Sequence, residues 1–243
     1  MPSVASQGGI EQRSNLVYSR YCHMPNCNQV RNGGTKWCRS HRSLTASRGA
    51  PNQNKIGIRT LNTARKAVQE LVNQNRNSEA WKTLIEVIED RKKQILRQAT
   101  EELTANIREN RASAKPRRVA LQMLLEIFQK LTTEEALVEY AMVQYLNHTN
   151  DRLFVSDQVV NFWIVKRLLA KSKVFHASTL DRITGKPKRY SVQITSILRD
   201  IVYWYSHEIF RAIGIQLADQ VSQRHEKYQQ MEKKYREAIS QIK

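Results

Sequence analysis

All three cysteines of this 243-residue chain lie between positions 22 and 38, and a histidine follows the last of them at position 41. The four candidate metal ligands are Cys22, Cys27, Cys38 and His41, spaced C-x4-C-x10-C-x2-H. Zn²⁺ is held by four sulfur and nitrogen ligands in a tetrahedron, and two close pairs joined by a short loop supply them with little loss of chain entropy. The spacing therefore predicts one structural site with Zn²⁺ as its cofactor.

The residues between these ligands favour turns where such a site needs them. Pro and Asn at 25–26 can turn the chain between the first two cysteines, and the Gly pair at 33–34 can turn the longer loop. Cys38 and His41 are three residues apart, which places them on one side of a helical turn that we expect to begin near Trp37. Trp37 is expected to pack inside this module, with stacking on a nucleic-acid base as the alternative.

His23 competes with Cys22 as the first ligand because the two residues are adjacent. Neighbouring side chains of an extended chain point in opposite directions, so we expect Cys22 to bind the metal and His23 to face solvent. The alternative to a metal site is three unrelated reduced thiols. The absence of cysteine from the rest of the sequence argues against that alternative.

Basic residues outnumber acidic ones by 40 to 22, which gives a formal net charge of +18 at pH 7. A charge of this size attracts polyanions, and nucleic acid is the most common such partner. We expect contacts mainly with phosphates, and duplex DNA in preference to RNA. A positive face that docks on an acidic protein is the alternative.

These basic residues are concentrated in two parts of the sequence. Residues 1–55 hold eight of them with Glu11 as the only acid, and residues 166–189 hold another eight with Asp181 as the only acid. The first group supplies the candidate nucleic-acid contacts Arg31, Lys36, Arg39, Arg42 and Arg48. The second supplies Lys171, Lys173, Arg182, Lys186, Lys188 and Arg189, in or beside a short hairpin or loop expected over 173–190. A solvated basic loop is the alternative for the second group.

The composition indicates an almost entirely helical protein. Glycine and proline number only eight and five, and the polar stretches are rich in residues that favour helix. We expect a flexible arm over 1–20, a zinc module over 21–45, a linker over 46–55 and a helical domain over 56–243. The predicted fold class is mainly α, with a small N-terminal zinc module, a multi-helix bundle containing one short hairpin or loop, and a long C-terminal helix.

Apolar periodicity within the helical domain predicts six helices. The first is expected over 58–73, and the polar run between Ile88 and Ile95 indicates a bend or an exposed segment in the second. The expected starts of the other five are Ser78, Pro116, Thr132 or Thr133, Ser156, and a position near Ser191.

The last helix carries a heptad pattern over 217–242. Its seam consists of Leu217, Val221, Arg224, Tyr228, Met231, Tyr235, Ala238 and Ile242, separated by alternating steps of four and three residues. Only Arg224 interrupts the apolar character of this seam. The pattern predicts a coiled coil with a second copy or with another protein, and packing against the chain's own helical domain is the alternative.

The stretch Cys-His-Met-Pro-Asn-Cys at 22–27, followed by Gly-Gly-Thr-Lys-Trp-Cys-Arg-Ser-His-Arg at 33–42, resembles a known class of zinc module. These modules have three cysteines and one histidine, are of treble-clef or zinc-knuckle type, and occur near the N-termini of many phage and mobile-element proteins, including some of the HNH nuclease group. The resemblance covers about a tenth of the chain. It implies zinc and nucleic-acid contact, but it does not imply nuclease chemistry.

No sequence pattern of an enzyme accompanies these features. The Gly-Lys pair at 185–186 lacks the rest of a phosphate-binding loop, and no His-Asn-His set follows the zinc module closely. His207 lies beside Glu208 on a predicted helix face, where we expect a capping or surface role. We therefore predict a non-enzymatic, DNA-binding accessory protein of a phage or mobile genetic element. The alternatives are an RNA-binding subunit of a ribonucleoprotein and a metal-dependent nuclease resembling the HNH group.

The first residues of the sequence are polar and lack the apolar core of a signal peptide. No apolar run is long enough to cross a bilayer, so no membrane partner is expected. Clustered thiols that bind metal are typical of a reducing compartment. We expect an intracellular, cytoplasmic protein, associated with the nucleoid if its source is bacterial.

Overall fold

The computed structural model describes residues 20–109, 114–174 and 193–241. These ranges contain seven helices and no strand, apart from an isolated antiparallel bridge between Tyr21 and Val30. The helices are α1 (Arg39–Arg48), α2 (Ile58–Asn75), α3 (Glu79–Glu109), α4 (Lys115–Lys130), α5 (Thr133–Thr149), α6 (Asp157–Ser172) and α7 (Ser196–Gln241). The mainly α fold class is confirmed, with a group of three cysteines and one histidine near the N-terminus and a long C-terminal helix. No helix of these ranges combines the length and apolarity needed to cross a membrane.

The chain divides into two compact units, Met1–Gln53 and Asn54–Lys243. The cysteines and α1 belong to the first unit, and α2 to α7 form the second. The arm expected over 1–20 and the hairpin or loop expected over 173–190 fall almost wholly outside the described residues. Helix α1 extends to Arg48, into the segment expected to be a linker. It ends there because Gly49 adopts a left-handed φ of 92° and its N–H donates to the Thr45 carbonyl.

Local capping signals in the second unit produce the helix starts that the sequence indicates. The Ser78 hydroxyl accepts a backbone N–H at the start of α3, and Pro116 lies in the first turn of α4. Thr132 and Glu135 form a capping box at the start of α5, in which each side chain accepts the other residue's backbone N–H. Ser156 is the N-cap residue of α6, although its side chain makes no capping hydrogen bond. These starts depend on residues a few positions apart, which is why the sequence reveals them.

Of the two alternatives for the stretch between Ile88 and Ile95, the structure shows the exposed segment, and one predicted helix start differs from the structure. Helix α3 runs without a break through the polar stretch between Ile88 and Ile95, whose side chains are exposed or partly exposed. The last helix begins at Ser196 instead of near Ser191. The Thr195 hydroxyl accepts the backbone N–H of Leu198 at 3.2 Å, and this capping bond sets the later start.

Helix α5 lies at the centre of the second unit, where it packs against α2, α3, α6 and α7. Every residue from Ala136 to Leu146 is buried. This continuous run is mostly apolar and leaves no face suited to water, so other helices surround it. The long helix α7 packs against α2 to α6 and provides much of this cover.

A buried ion-pair network joins three helices across this core. Glu139 of α5 is only 1% exposed, and its two carboxylate oxygens bind Arg65 of α2 and Arg167 of α6. The Arg167 Nε atom donates to Oε2 at 2.9 Å. A buried carboxylate without partners would be strongly destabilising, and the two guanidinium groups supply its partners here.

Helices α5 and α7 come into close contact at Gly214. A Cβ atom at this position would lie 2.4 Å from Cδ1 of Tyr140, so the two helices approach this closely only because residue 214 has no side chain. One turn earlier in α7, the Phe210 ring packs against Phe128 and Tyr140 at centroid distances of 6.0 and 5.9 Å. This aromatic cluster holds α4, α5 and α7 together.

The C-terminal end of α7 leaves the bundle after Val221. Leu217 and Val221 of the heptad seam are buried, whereas every side chain from 223 to 240 is exposed. Packing against the chain's own domain therefore accounts for the first two seam positions and not for those from Arg224 to Ala238. Ile242, the last seam position, lies outside the described residues.

Candidate metal centre

Cys22, Cys27, Cys38 and His41 form one cluster in the first unit. Their candidate ligand atoms all lie within 4.8 Å of one another. The Cys27 and Cys38 sulfurs are 4.0 Å apart, and His41 Nδ1 is 3.2 Å from the Cys22 sulfur and 3.3 Å from the Cys38 sulfur. The structure thus brings together all four predicted ligands at distances that a single metal ion can bridge. No other group of three or more His, Cys, Asp or Glu residues in the described ranges is so arranged.

A tight backbone turn positions the first two cysteines. The Cys22 N–H donates to the Gln29 carbonyl at 2.8 Å, and inside this loop the Cys27 N–H donates to the Met24 carbonyl at 3.1 Å. Asn26, between these residues, has a left-handed φ of 60°, a conformation that asparagine tolerates better than most residues. The turn therefore returns the chain on itself and directs both sulfurs to one point.

The start of α1 supplies the other two ligands. Cys38 is the N-cap residue of this helix, and its sulfur accepts the His41 backbone N–H at 3.5 Å. The first helical turn places the His41 ring beside the same sulfur, which confirms the predicted arrangement of these two residues. The helix begins at Arg39. The Trp37 side chain, two residues earlier, is partly exposed, so it is neither buried inside the module nor fully exposed to solvent.

The thiols influence one another's ionisation. Burial opposes ionisation of Cys22, but hydrogen bonds from the backbone of Cys38 and Met24, and from the side chains of His41 and Cys27, lower its pKa to about 6. At Cys27 a hydrogen bond from the Gln29 backbone favours the thiolate, but burial and the nearby Cys22 and Cys38 sulfurs outweigh it and raise the pKa. The Cys22 thiol therefore ionises readily, and its negative charge makes ionisation of the Cys27 thiol less favourable. A bound cation is what allows such neighbouring thiols to be deprotonated together.

The structure contradicts the expectation that His23 faces solvent. The residue is partly buried, and its ring Nε2 atom is buried without a hydrogen-bond partner. Its backbone N–H donates to the Lys36 carbonyl at 3.0 Å, which holds His23 against the loop that contains the Gly-Gly turn. The candidate ligand cluster does not include His23, and alternation along an extended strand could not reveal that the loop returns against this residue.

The basic residues of the first unit that we predict to contact nucleic acid lie between and just after the candidate metal ligands in the sequence. Lys36, Arg39 and Arg42 are exposed, and Arg31 and Arg48 are partly exposed. The Arg48 guanidinium also donates to the Gln53 carbonyl at 3.2 Å. No Asp or Glu occurs between positions 20 and 53, so nothing in this stretch neutralises these cations.

Arg20 is a further basic residue of this surface that the candidate contacts omit. It is exposed, and its carbonyl accepts the Arg31 N–H at 2.9 Å, so the two residues are paired through their backbones. The sequence signal was the position of Arg20, two residues before the first ligand Cys22. The backbone pairing that brings it beside Arg31 required the structure.

The second basic group is described only in part. Lys171 pairs with Glu135 at 3.0 Å, with both side chains about two-fifths exposed, and Lys173 is exposed just beyond the end of α6. Arg182, Lys186, Lys188 and Arg189 lie outside the described residues. Nucleic-acid contact by this group stays a prediction.

His207 is partly buried and hydrogen-bonded to side chains of α5 and α7, whereas a surface or capping role was expected for it. Its Nδ1 atom lies 2.7 Å from the Tyr140 hydroxyl and 3.1 Å from the Tyr203 hydroxyl. Burial, with a smaller contribution from the positive charge of Arg211, lowers the pKa of the imidazole. These two hydrogen-bond contacts lie where α5 and α7 pack together.

Comparisons with known proteins identify no family for the chain. No protein-family model, no curated protein and no solved structure matches it. The likeness to zinc modules of phage and mobile-element proteins accordingly depends on the motif at 22–42 alone. The features of the described residues that bear on function are the candidate metal-ligand cluster and the charges around it.

Proposed function

We propose that residues 20–53 form a zinc-binding module that binds nucleic acid, duplex DNA first, through its phosphates. The observation that carries this proposal is a compact metal-ligand cluster set among six basic residues, with no acidic residue in the same stretch. The metal fixes the backbone of the module, so its cations are ordered before they meet a phosphate. The proposed role is binding without catalysis.

Zinc is the metal that best suits the donor set. Three sulfurs and one imidazole nitrogen are typical ligands of structural zinc, and Zn–S bonds of about 2.3 Å in a tetrahedron place two sulfurs about 3.8 Å apart. The 4.0 Å separation of the Cys27 and Cys38 sulfurs fits this value. Zn²⁺ with three thiolates carries a formal charge of about −1. The six surrounding cations therefore remain in clear excess.

Arg39 and Arg42 are well placed for phosphate contact. They are three residues apart in the first turns of α1, so they lie close together on the helix surface, and both are exposed. Lys36 is exposed two residues before the Cys38 cap. Arginine and lysine at such positions bind phosphate through charge-assisted hydrogen bonds.

The likeness of the module to those of phage and mobile-element proteins supports an accessory role in such an element. In that role the module holds the nucleic acid, and the helical unit serves for protein contacts. An RNA-binding subunit of a ribonucleoprotein is the alternative, because the same cations suit either polymer. A metal-dependent nuclease resembling the HNH group is a weaker alternative.

The test compares two triple variants in a salt series with labelled duplex DNA. K36E/R39E/R42E reverses three exposed cations of the module, and R108E/K115E/R152E reverses three exposed cations of the helical unit as the matched control. If each module residue contacts one phosphate, the slope of log K against log salt becomes shallower by about 2.7, and affinity falls at least about tenfold. The control variant should bind much as the parent protein does. Equal weakening by both variants would show that only net charge matters and would contradict the proposal.

Competition then separates the alternatives. Duplex DNA, duplex RNA and single strands are added in turn to the labelled complex at fixed salt. Preferential displacement by RNA favours the ribonucleoprotein alternative. Incubation of labelled DNA with protein and Mg²⁺ tests the nuclease alternative. DNA cleavage activity that co-purifies with the protein would exclude a purely binding role.

A further inference from the structure

The end of α7 exposes an apolar stripe. Tyr228, Met231 and Tyr235 are 60%, 57% and 68% exposed, and their spacing of three and four residues places them on one side of the helix. All described side chains around them, from 223 to 240, are exposed as well. Large apolar side chains in this regular spacing on a polar helix are typical of a surface that another helix covers.

We propose that residues 224–241 form a parallel, in-register coiled coil with a second copy of this chain. In heptad terms Tyr228 and Tyr235 occupy a positions, and Arg224, Met231 and Ala238 occupy d positions. The proposal does not depend on the proposed nucleic-acid binding.

The charges beside the stripe favour a second copy as the partner. Lys227 occupies a g position and Glu232 occupies the e position of the next heptad. In a parallel, in-register pair, each g residue meets the e residue five positions later on the other helix. Lys227 of each chain therefore meets Glu232 of the other, and the twofold symmetry creates this pair twice.

The g position of the next heptad, Lys234, also faces the other helix in the parallel pair. Lys234 meets Ile239 of the other chain, and Ile239 is 49% exposed in the single chain. The lysine methylene groups can cover this apolar side chain while the ammonium group stays in water. The self-pairing thus covers the exposed isoleucine that lies next to the main stripe.

An antiparallel pair would be unfavourable for the same side chains. In that orientation g positions face g positions, so Lys227 and Lys234 of one helix would meet the lysines of the other. Like charges in direct opposition are destabilising. The charge pattern therefore specifies the parallel orientation.

Ion pairs within the end of α7 favour its helical conformation before it associates with a second copy. Arg236 pairs with Glu232 at 2.5 Å and Lys233 pairs with Glu237 at 3.9 Å, each four residues apart. Such exposed pairs add only about 0.2–0.5 kcal/mol each, and a helix of this length without tertiary contacts is marginal in water. Association with a second helix supplies the missing packing.

The first test is sedimentation velocity of the full chain over a concentration series. We expect a monomer–dimer equilibrium with a dimer of twice 28.3 kDa. M231E should abolish the dimer, whereas Q230E, which adds the same charge at the adjacent position outside the seam, should leave it intact. Circular dichroism checks that both variants keep their helical fold. A parent protein that is monomeric at every concentration, or equal effects of the two variants, would overturn the proposal.

The second test concerns orientation. K227E should raise the dimer Kd about tenfold, because two attractive pairs become repulsive, and K227E/E232K should restore it. In an antiparallel dimer, K227E would instead tighten association by removing lysine repulsion. An A238C variant should form an interchain disulfide on mild oxidation, whereas S240C, outside the seam, should not do so above the level of the parent chain. Tightening by K227E, or no excess cross-linking of A238C over S240C, would overturn the parallel arrangement.

Discussion

The module of residues 20–53 and the helical unit differ in how much apolar surface they bury. In the module, the buried residues are Cys22, Cys38 and Gln53, and α1 buries none of its side chains. In the helical unit, α5 alone is buried continuously from Ala136 to Leu146. A stretch of so few residues rarely folds on apolar burial alone and usually needs a metal or disulfides. A metal ion held by the four candidate ligands would therefore do in the module what the apolar core does in the helical unit.

Removal of the metal should have the largest effect and should be confined to the module. Structural zinc contributes about 10–16 kcal/mol of apparent binding energy, so C38S or chelation should unfold residues 20–53 completely. Hydrogen exchange read by mass spectrometry should show loss of protection there and unchanged protection in α2 to α7. S40A, a change at an exposed residue of α1, is the control and should retain the metal. Loss of protection in the helical unit as well would contradict the independence of the two units.

E139A should have the largest effect within the helical unit. It leaves the guanidinium groups of Arg65 and Arg167 without the carboxylate that both bind, at an expected loss of about 3–5 kcal/mol in the free energy of unfolding. Denaturant unfolding followed by circular dichroism measures this loss, and metal content should not change. E101A, which breaks the exposed Arg97–Glu101 pair, is the matched control with an expected change under about 0.5 kcal/mol. Similar losses for the two variants would show that the network contributes no more than a surface ion pair.

G214A should destabilise the helical unit by about 1–3 kcal/mol, although alanine normally favours helix over glycine. The added Cβ would meet the Tyr140 ring at 2.4 Å and force α5 and α7 apart. A double-mutant cycle with Y140L, which removes the ring, should show a smaller penalty for G214A in that background. Stabilisation by G214A alone would mean that the two helices do not approach this closely.

The smallest expected effect is a pH dependence carried by Glu135. Its hydrogen bonds with Lys171 and the Thr132 backbone N–H lower the carboxyl pKa below the usual value of 4.5. The stabilising contribution is therefore fully present above about pH 4.5 and is lost as the pH falls below that value. E135Q should reduce the slope of unfolding free energy against pH in this window, measured by urea unfolding of the helical signal. An unchanged slope would show that the capping box and its lysine contribute nothing measurable.

The sequence predicted those features whose determinants lie close together along the chain. All four candidate metal ligands fall within twenty residues, and the Thr132–Glu135 capping box spans four, so spacing alone marked both groups in the sequence. The partners of Glu139 are 74 and 28 residues away in the sequence. The contact of Gly214 with Tyr140 likewise joins separate helices, and no local pattern marks either residue for it. Pairings between distant elements become visible only when the fold is known.

The burial of α5 on all sides has a consequence for synthesis of the protein. Its last residue, Thr149, leaves the ribosome 72 residues before Val221, the last buried residue of α7. At about 5–20 residues per second, the nascent chain would expose this apolar segment for roughly 4–14 s before its cover is made. A chaperone that holds extended apolar peptides would find its main target here.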